Sequence, residues 1–350
     1  MAQSTRRSET RGTAQTAGLG FSAPLALKSC SEELETALAS WSRAAAQEVL
    51  SELWEADVER LCGQRWKPRP RSKVTRAGWC KSEITLGGQR VEVRRPRVRS
   101  VQGKEIELPT FRAAGKADLL DRDALEDLTA SITTGSFPND RFPRERIPGE
   151  FVARLALRLG GDHAVPKGAF DAGLLISPID FPDQSFLGAV GIDATGRRRI
   201  VGLRAGAVAS VDNVRGLIDE VVARHTGQVP PAVFIIGEHP EIAAALKERF
   251  GQSILIQRCQ HEKRRRVLGL LPPSEQSPIL EGLLDAYASP DVKTARKALQ
   301  RLVRSLEGAH DAAAEALGDC LEDTLTLQRL GISKPVQRPG LAAPGASPGA

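Results

Sequence analysis

The order of apolar segments between residues 172 and 257 constrains the fold more than any other feature of this chain. Three β-prone runs are followed by two helical patterns that alternate with two short strand patterns. Strands that alternate with helices pair largely in parallel through right-handed crossovers, whereas three consecutive strands form an antiparallel meander. The second half therefore predicts an α/β core with the order βββ-α-β-α-β. The segments are strands at 172–177, 185–193 and 198–204, a helix at 211–225, a strand at 232–236, a helix ending at 250, and a strand at 253–257.

The N-terminal half begins with a long helical pattern and a hairpin pattern. Ser29 followed by Glu32 fits a capping box, and apolar residues recur at helical spacing from Leu34 to Leu61. Gly87-Gly88 lies within an alternating segment, residues 83–93, and adjacent glycines supply the positive φ of a tight turn. A hairpin with this turn divides the neighbouring side chains between two faces. Ile84, Leu86, Val91 and Val93 share one face, and Thr85 and Arg90 share the other.

Two further helices and a long helical region complete the predicted organisation. Helices are expected over residues 121–132 and 151–159, separated by a proline-rich loop at 138–150, and residues 263–330 are almost entirely helical in pattern. The predicted regions are a disordered leader at 1–28, a basic α+β N-terminal region at 29–165, the α/β core at 166–260, a helical insertion at 261–335 and a disordered Pro/Gly/Ala tail at 336–350.

Positive charge is concentrated in one segment of the chain. Residues 61–104 contain thirteen Lys and Arg against two acidic residues, although the whole chain carries only +6. Such a block favours a polyanionic partner, because each neutralised phosphate releases counterions. A solvated basic surface without a ligand is the alternative. Trp66 and Trp79 interleave with these cations, but we expect them to be packed rather than to stack on bases, since large aromatic side chains usually bury most of their area.

Composition argues against membrane and disulfide-rich classes of protein. No stretch approaches the roughly 20 apolar residues that span a bilayer, so a cytoplasmic protein without a membrane partner is expected. The five cysteines form no CxxC pair and are expected to be reduced thiols. Cys259 and His261 are two residues apart, and two ligands do not complete a tetrahedral zinc site. The sequence therefore predicts no metal site.

Several segments resemble the Mutator-type insertion-sequence transposases of bacteria. They are residues 86–99, 174–176, 189–193, 257–259 and 321–331, and they follow the family's order over about residues 45 to 335. The resemblance implies an RNase H-like core for the α/β segment, with the helical region as an insertion. It also implies DNA as the partner, most simply the terminal repeats of a mobile element.

The family's chemistry requires three carboxylates that hold two divalent metal ions. The resemblance puts the first two at Ser177 and Ile236, and the third, expected after Gly331, has no counterpart in the sequence. Asp180 and Glu238 are the nearest surrogates. Hard cations take oxygen ligands, so we expect a degenerate, C-terminally truncated transposase that needs no cofactor. Mg²⁺ would be required only if the surrogates restored an active site.

The remaining activity expected on this interpretation is DNA binding without strand cleavage or transfer. The resemblance also implies a homo-oligomer, or a mixed oligomer with intact relatives, associated with the nucleoid. One alternative is an active transposase that uses displaced carboxylates. Another is a non-catalytic remnant or protein-interaction module. The basic side chains expected to bind DNA are Arg65, Lys67, Arg69, Arg71, Arg94, Arg95, Arg97, Arg99, Lys263, Arg264, Arg265 and Arg266.

Overall fold

A computed structural model describes most of the chain between residues 27 and 332. The leader 1–28, apart from residue 27, and the tail 336–350 fall outside the described residues, as do Arg69 and Arg71. Within the described ranges, no helix combines the length and apolarity that crossing a bilayer requires. Those ranges are residue 27, 29–68, 73–134, 147–159, 165, 167–182, 184–206, 210–224 and 230–332.

Helix α1 (Cys30–Cys62) is 33 residues long and confirms the predicted amphipathic helix. Its N-cap is Ser29, whose Oγ accepts a hydrogen bond from the Glu32 amide at 3.1 Å. A cap of this kind satisfies one of the amides that the first helical turn leaves without a partner. The helix ends at Gly63, which has a φ of 84°.

The predicted hairpin is present and is longer than the sequence pattern indicated. Strands β3 (Val74–Leu86) and β4 (Gln89–Ser100) pair antiparallel around the Gly87-Gly88 turn, with Ile84 opposite Val91. Both turn glycines have positive φ, which a side chain would disfavour. Two short strands, β1 (Gly63–Gln64) and β2 (Lys67–Pro68), pair with each other before the hairpin, and β5 (Glu105–Ile106) pairs with β4 after it.

Three helices follow the hairpin, and two of them differ from the prediction. Helix α2 (Pro109–Lys116) was not predicted, although Pro109 in its first turn is a helix-start signal. Helix α3 (Arg122–Thr134) agrees with the expected helix to within two residues. Helix α4 (Ile147–Leu159) begins within the segment predicted as a loop, because a proline in the first helical turn does not interrupt any internal hydrogen bond.

A five-stranded mixed sheet forms the core of the second half, with the predicted βββ-α-β-α-β order of elements. Its strand order is β10-β9-β6-β7-β8. Strands β6, β7 and β8 form the antiparallel meander, whereas β9 pairs in parallel with both β6 and β10. The last strand begins three residues later than predicted. The elements are β6 (Gly173–Asp180), β7 (Ser185–Ile192), β8 (Arg198–Ala205), α5 (Val211–Arg224), β9 (Val233–Ile236), α6 (Pro240–Phe250) and β10 (Ile256–Arg258).

The two faces of this sheet are covered by different layers. One face contains Ile176 and Ile236 and packs against the crossover helices α5 and α6. The other contains Leu175 and Ile235 and packs against the N-terminal end of α1. Helix α1 approaches this face closely at Gly188 of β7, where an added Cβ would lie 2.6 Å from the Leu34 side chain. The C-terminal part of α1 packs in a separate cluster with the hairpin, so one helix connects both cores.

The C-terminal region is helical, as the sequence predicts. Its buried side chains, among them Leu283, Leu299 and Leu317, form a fourth cluster. The elements are α7 (Gln260–Gly269), α8 (Pro273–Ala288), α9 (Val292–Leu306), α10 (Asp311–Gly318), a 3-10 helix (Leu321–Leu325) and α11 (Thr326–Arg329).

Candidate functional site

The resemblance implies catalytic acids at two positions where the parallel pairing of β6 with β9 ends: Ser177, one residue beyond the last paired residue of β6, and Ile236, the last residue of β9. Ser177 is fully buried, and its Oγ donates a 3.3 Å hydrogen bond to the Pro178 carbonyl. Ile236 is also fully buried. Because Ile176 pairs with Ile236 in the parallel register, and successive residues of a strand alternate between faces, Ser177 and Ile236 face opposite sides of the sheet. The two positions therefore do not form one pocket.

Asp180 lies at the last position of β6 and is exposed. Its Oδ1 accepts a 2.7 Å hydrogen bond from Ser185 Oγ across the turn to β7. Its carbonyl accepts a 2.8 Å hydrogen bond from Arg122 of α3. These contacts fix Asp180 at the β6–β7 turn.

Glu238 lies two residues after β9 and is bound to basic side chains of α7. Its Oε2 is 2.7 Å from Lys263 Nζ and 3.2 Å from Arg266 Nη1. Lys263 Nζ also donates to the carbonyls of Ala316 and Asp319, each at 2.9 Å. The three donors of this ammonium are thereby used, and the carboxylate has a partner charge on the protein itself.

The position after Ile236 is closed by the first turn of α7. Gly237 is so near Glu262 that an added Cβ would lie 2.0 Å from Glu262 Oε2. The Gly237 carbonyl accepts a 3.0 Å hydrogen bond from Arg258 Nη1. Where β9 and β10 end, the described polar side chains of Arg258 and Glu262 therefore fill the space beside Gly237.

The Lys263–Arg266 run is divided between interior and surface. Lys263 is fully buried, so its ammonium is not available to an external phosphate. Arg264 is partly buried, with Nη2 3.3 Å from His261 Nδ1, and Arg266 is paired with Glu238. Arg265 is exposed. Helical periodicity explains the difference, because four successive residues point in four directions around the axis.

The basic hairpin contains two arginines that are already paired. Glu105 of β5 lies 3.1 Å from Arg95 Nη2 and 2.6 Å from Arg97 Nη2. Hydrogen bonds from Arg97 hold the pKa of Glu105 below its usual value, with a smaller contribution from Arg95. Arg95 also lies over the Phe111 ring, 4.4 Å from its centroid. Both arginines therefore have a role within the fold.

Other cations of the same segment are exposed and form no ion pair among the described residues. Two tryptophans of the same segment are also exposed. The expectation that both tryptophans are packed is wrong, because the side chain of Trp66 is 89% exposed and that of Trp79 is 42% exposed. Arg94 lies over the Trp79 ring at 5.7 Å. We call this set the basic hairpin surface, and it comprises Arg65, Trp66, Lys67, Lys73, Trp79, Arg94 and Arg99.

Arg76 fixes the two parts of the basic hairpin surface to each other. Its Nη1 is 2.9 Å from Glu55 of α1, and its Nη2 donates a 3.1 Å hydrogen bond to the Gly63 carbonyl. The turn that carries Arg65 and Trp66 is thus attached to strand β3. Sequence reasoning did not separate the paired arginines from the unpaired ones, because Glu105 is outside the local pattern of the hairpin.

Comparison with known proteins agrees with the resemblance in the second half of the chain. Residues 182–334 match the family described as Transposase, Mutator family. A search of curated proteins found no match to the chain. The matched segment includes Ile236, Glu238 and the α7 run but begins after Ser177 and Asp180. From β7 to the end of α11, the chain resembles the Mutator family of transposases.

Proposed function

We propose that this chain is a transposase-like protein with an RNase H-like core that binds DNA through the basic hairpin surface and does not cut or join strands. The proposal rests on one observation: the chain has an exposed basic surface, while the side chains at the carboxyl edge of its core sheet are already packed or paired with each other. The first supplies contacts for phosphates, and the second lacks a carboxylate pocket for metal ions.

The strand topology supports the RNase H-like core. A meander of three antiparallel strands has its first strand, β6, at the centre of the sheet, and β9 and β10 extend the sheet in parallel from it. The crossover helices α5 and α6 cover one face. The family match over residues 182–334 includes four of the five strands.

The residues at the sheet edge do not fit a pair of magnesium ions. A two-metal site needs several oxygen ligands that converge on one open space. Ser177 and Ile236 point to opposite faces. Glu238 is occupied by Lys263 and Arg266, and Asp180 is held at the next turn by Ser185. We therefore assign no metal-dependent step to this edge.

The basic hairpin surface supports binding to DNA rather than to a small anion. Its cations lie in the β1–β2 turn, in β2, just before β3 and on β4, so several of them can contact phosphates of one backbone. Its two exposed tryptophans offer flat apolar faces beside those cations, which is the arrangement that stacks on unpaired bases. The surface therefore suits DNA in which some bases are accessible.

A salt titration of binding to labelled oligonucleotides tests the proposal. Random-sequence duplex and single-stranded DNA would be titrated by fluorescence anisotropy at several salt concentrations. The variant K73A/R94A/R99A should lower the slope of log K against log salt by about 0.9 for each phosphate that the variant no longer neutralises. The variant R301A/R304A removes exposed positive charge from α9 and should leave the slope unchanged. Absence of binding at low salt would instead favour a remnant or protein-interaction module.

A cleavage assay tests the second part of the proposal. Supercoiled plasmid incubated with the full chain and Mg²⁺ or Mn²⁺ should remain uncut. Metal-dependent nicking that disappears in D180N or E238Q would overturn the proposal in favour of an active transposase with displaced carboxylates.

A further inference from the structure

Three side chains that commonly ligate metals converge in the interior where α1 begins and β10 ends. They are Cys30, Cys259 and Glu262, whose residues are 1%, 3% and 8% exposed. One ligand atom from each, two Sγ and one carboxylate oxygen, lie within 4.8 Å of one another. Among the described residues, no other group of three or more His, Cys, Asp or Glu side chains brings its ligand atoms this close together.

The cluster is held in place by the starts of two helices. Cys30 is the first residue of α1, and its amide donates a 3.0 Å hydrogen bond to Glu262 Oε1. Cys259 is the N-cap of α7, and its amide donates a 2.8 Å hydrogen bond to the Ile236 carbonyl at the end of β9. Glu262 lies in the first turn of α7. The three ligands are thus positioned by rigid elements before any ion binds.

The charges of the cluster favour a cation. No basic side chain among the described residues lies within ion-pair distance of the Glu262 carboxylate. A carboxylate as buried as that of Glu262 is costly unless a positive charge compensates it.

The cluster has room for ligands around an ion, because its three ligand atoms lie within 4.8 Å of one another and neither cysteine forms a disulfide. In a tetrahedral zinc site with Zn–S bonds of about 2.3 Å, neighbouring sulfurs are about 3.8 Å apart. A disulfide would bring the two sulfurs to about 2.05 Å and would leave Glu262 without a partner charge. Thiolates also select soft or borderline cations over Mg²⁺.

We propose that Cys30, Cys259 and Glu262 bind one thiophilic divalent cation, with Zn²⁺ as the best match and a water molecule as its fourth ligand. The ion joins the start of α1 to the carboxyl edge of the core sheet. It stabilises the attachment of the N-terminal region and stands apart from the two-magnesium chemistry that the family resemblance implies.

Metal titration of the full chain tests this site. Protein purified under reducing conditions and dialysed against a chelator would be titrated with Zn²⁺ in competition with a chromophoric chelator, and separately with Co²⁺. The expected result is one ion per chain and a thiolate-to-cobalt charge-transfer absorption in the near ultraviolet. C30S, C259S and E262Q should each weaken binding by about 100-fold or more, since loss of even an outer-shell partner costs 10- to 100-fold.

The matched control is C62S, because Cys62 is also buried and forms no disulfide but lies in the separate cluster between α1 and the hairpin. It should bind Zn²⁺ as the unaltered chain does. If C259S fails to fold, E262Q and the cobalt spectrum of the unaltered chain still decide the question. The proposal is overturned if the unaltered chain and C30S/C259S bind Zn²⁺ with the same affinity. It is also overturned if the cobalt complex of the unaltered chain shows no charge-transfer band.

Discussion

Lys263 and Glu238 form a buried ion pair at the carboxyl end of β9, with 2.7 Å between Nζ and Oε2. Glu238 is one of the two residues, with Asp180, that the sequence suggested as surrogate catalytic acids, and Lys263 was expected to contact DNA. The structure uses each to neutralise the other. Since Lys263 also binds two carbonyls at the end of α10, the pair ties the sheet edge to the helical region.

Replacing Lys263 by methionine should therefore lower stability rather than DNA affinity. Removal of one partner of a buried ion pair costs about 3 to 5 kcal/mol, and the half-exposed Arg266, 3.2 Å from Glu238, compensates the remaining carboxylate only in part, so a loss near the lower end of that range is expected. The double variant E238Q/K263M should cost less than K263M alone, because no charge is then stranded. Urea unfolding followed by far-ultraviolet circular dichroism measures this, since all four tryptophans lie in the N-terminal half.

The control for this prediction is K293M, which removes an exposed lysine from α9. Its urea midpoint should match that of the unaltered chain. If K263M unfolds at the same urea concentration as K293M, the buried pair does not stabilise the fold as described.

Trp66 should contribute to DNA binding and not to stability. Its side chain is 89% exposed, so W66A removes little packing. If it stacks on a base, W66A should weaken binding to single-stranded DNA by about 1 to 3 kcal/mol, with a smaller effect on duplex. Anisotropy titrations and thermal melts of the same protein samples separate the two quantities.

Trp54 provides the contrast to Trp66. It is fully buried in the cluster between α1 and the hairpin, so W54A should lower stability by about 3 to 5 kcal/mol. A W66A variant that melts early like W54A, or that binds single strands normally, would contradict the placement of Trp66 on a DNA-binding surface.

Local signals account for the parts of the fold that the sequence predicted well. Ser29 caps α1, and Gly87-Gly88 forms the hairpin turn, because capping and turn formation depend on neighbours a few residues away. The alternation of strands and helices likewise predicted the parallel pairing of β9 with β6.

Contacts between distant segments could not be predicted in the same way. Nothing near Arg97 in the sequence indicates that Glu105 will neutralise it, and nothing near Cys259 points to Cys30. The opposite orientations of Ser177 and Ile236 depend on the register between β6 and β9, which spacing along one chain does not specify. The candidate sites therefore depended on tertiary structure more than the fold did.

Gly191 of β7 should not tolerate a side chain. An added Cβ would lie 2.5 Å from the Ala169 carbonyl oxygen and 3.0 Å from Phe170 Cβ. Because a backbone atom cannot move away as a flexible side chain can, G191A should lower stability by about 1 to 3 kcal/mol. Gly269 at the end of α7 has no atom within 4 Å of such a Cβ, so G269A is the matched control and should be neutral or slightly stabilising. Equal urea midpoints for the two variants would contradict the close approach of Ala169 and Phe170, which precede β6, to Gly191 of β7.

Asp193 should make the stability of the core sheet depend on acid pH. Its Oδ1 accepts hydrogen bonds from the Thr195 amide at 2.9 Å, the Thr195 hydroxyl at 2.6 Å and the Arg197 amide at 3.1 Å, which together close the β7–β8 turn. Burial alone would raise the pKa of Asp193, but these hydrogen bonds outweigh it and hold the pKa below its usual value. A carboxyl whose folded pKa is depressed stabilises the fold above its unfolded pKa, and this contribution is lost as the pH falls through the folded pKa.

The variant D193A should accordingly be less stable than the unaltered chain by about 2 kcal/mol at neutral pH, as for hydrogen bonds to a charged group. The difference should be constant above about pH 5 and should shrink below about pH 4, where the unfolded carboxyl takes up its proton. T195V keeps the carboxylate but removes the hydroxyl donor, so its loss should be smaller and should follow the same pH trend. Urea midpoints of the three proteins between pH 2 and pH 7 test this, and a D193A difference that stays constant down to pH 2 would show that the ionised carboxylate does not hold the turn.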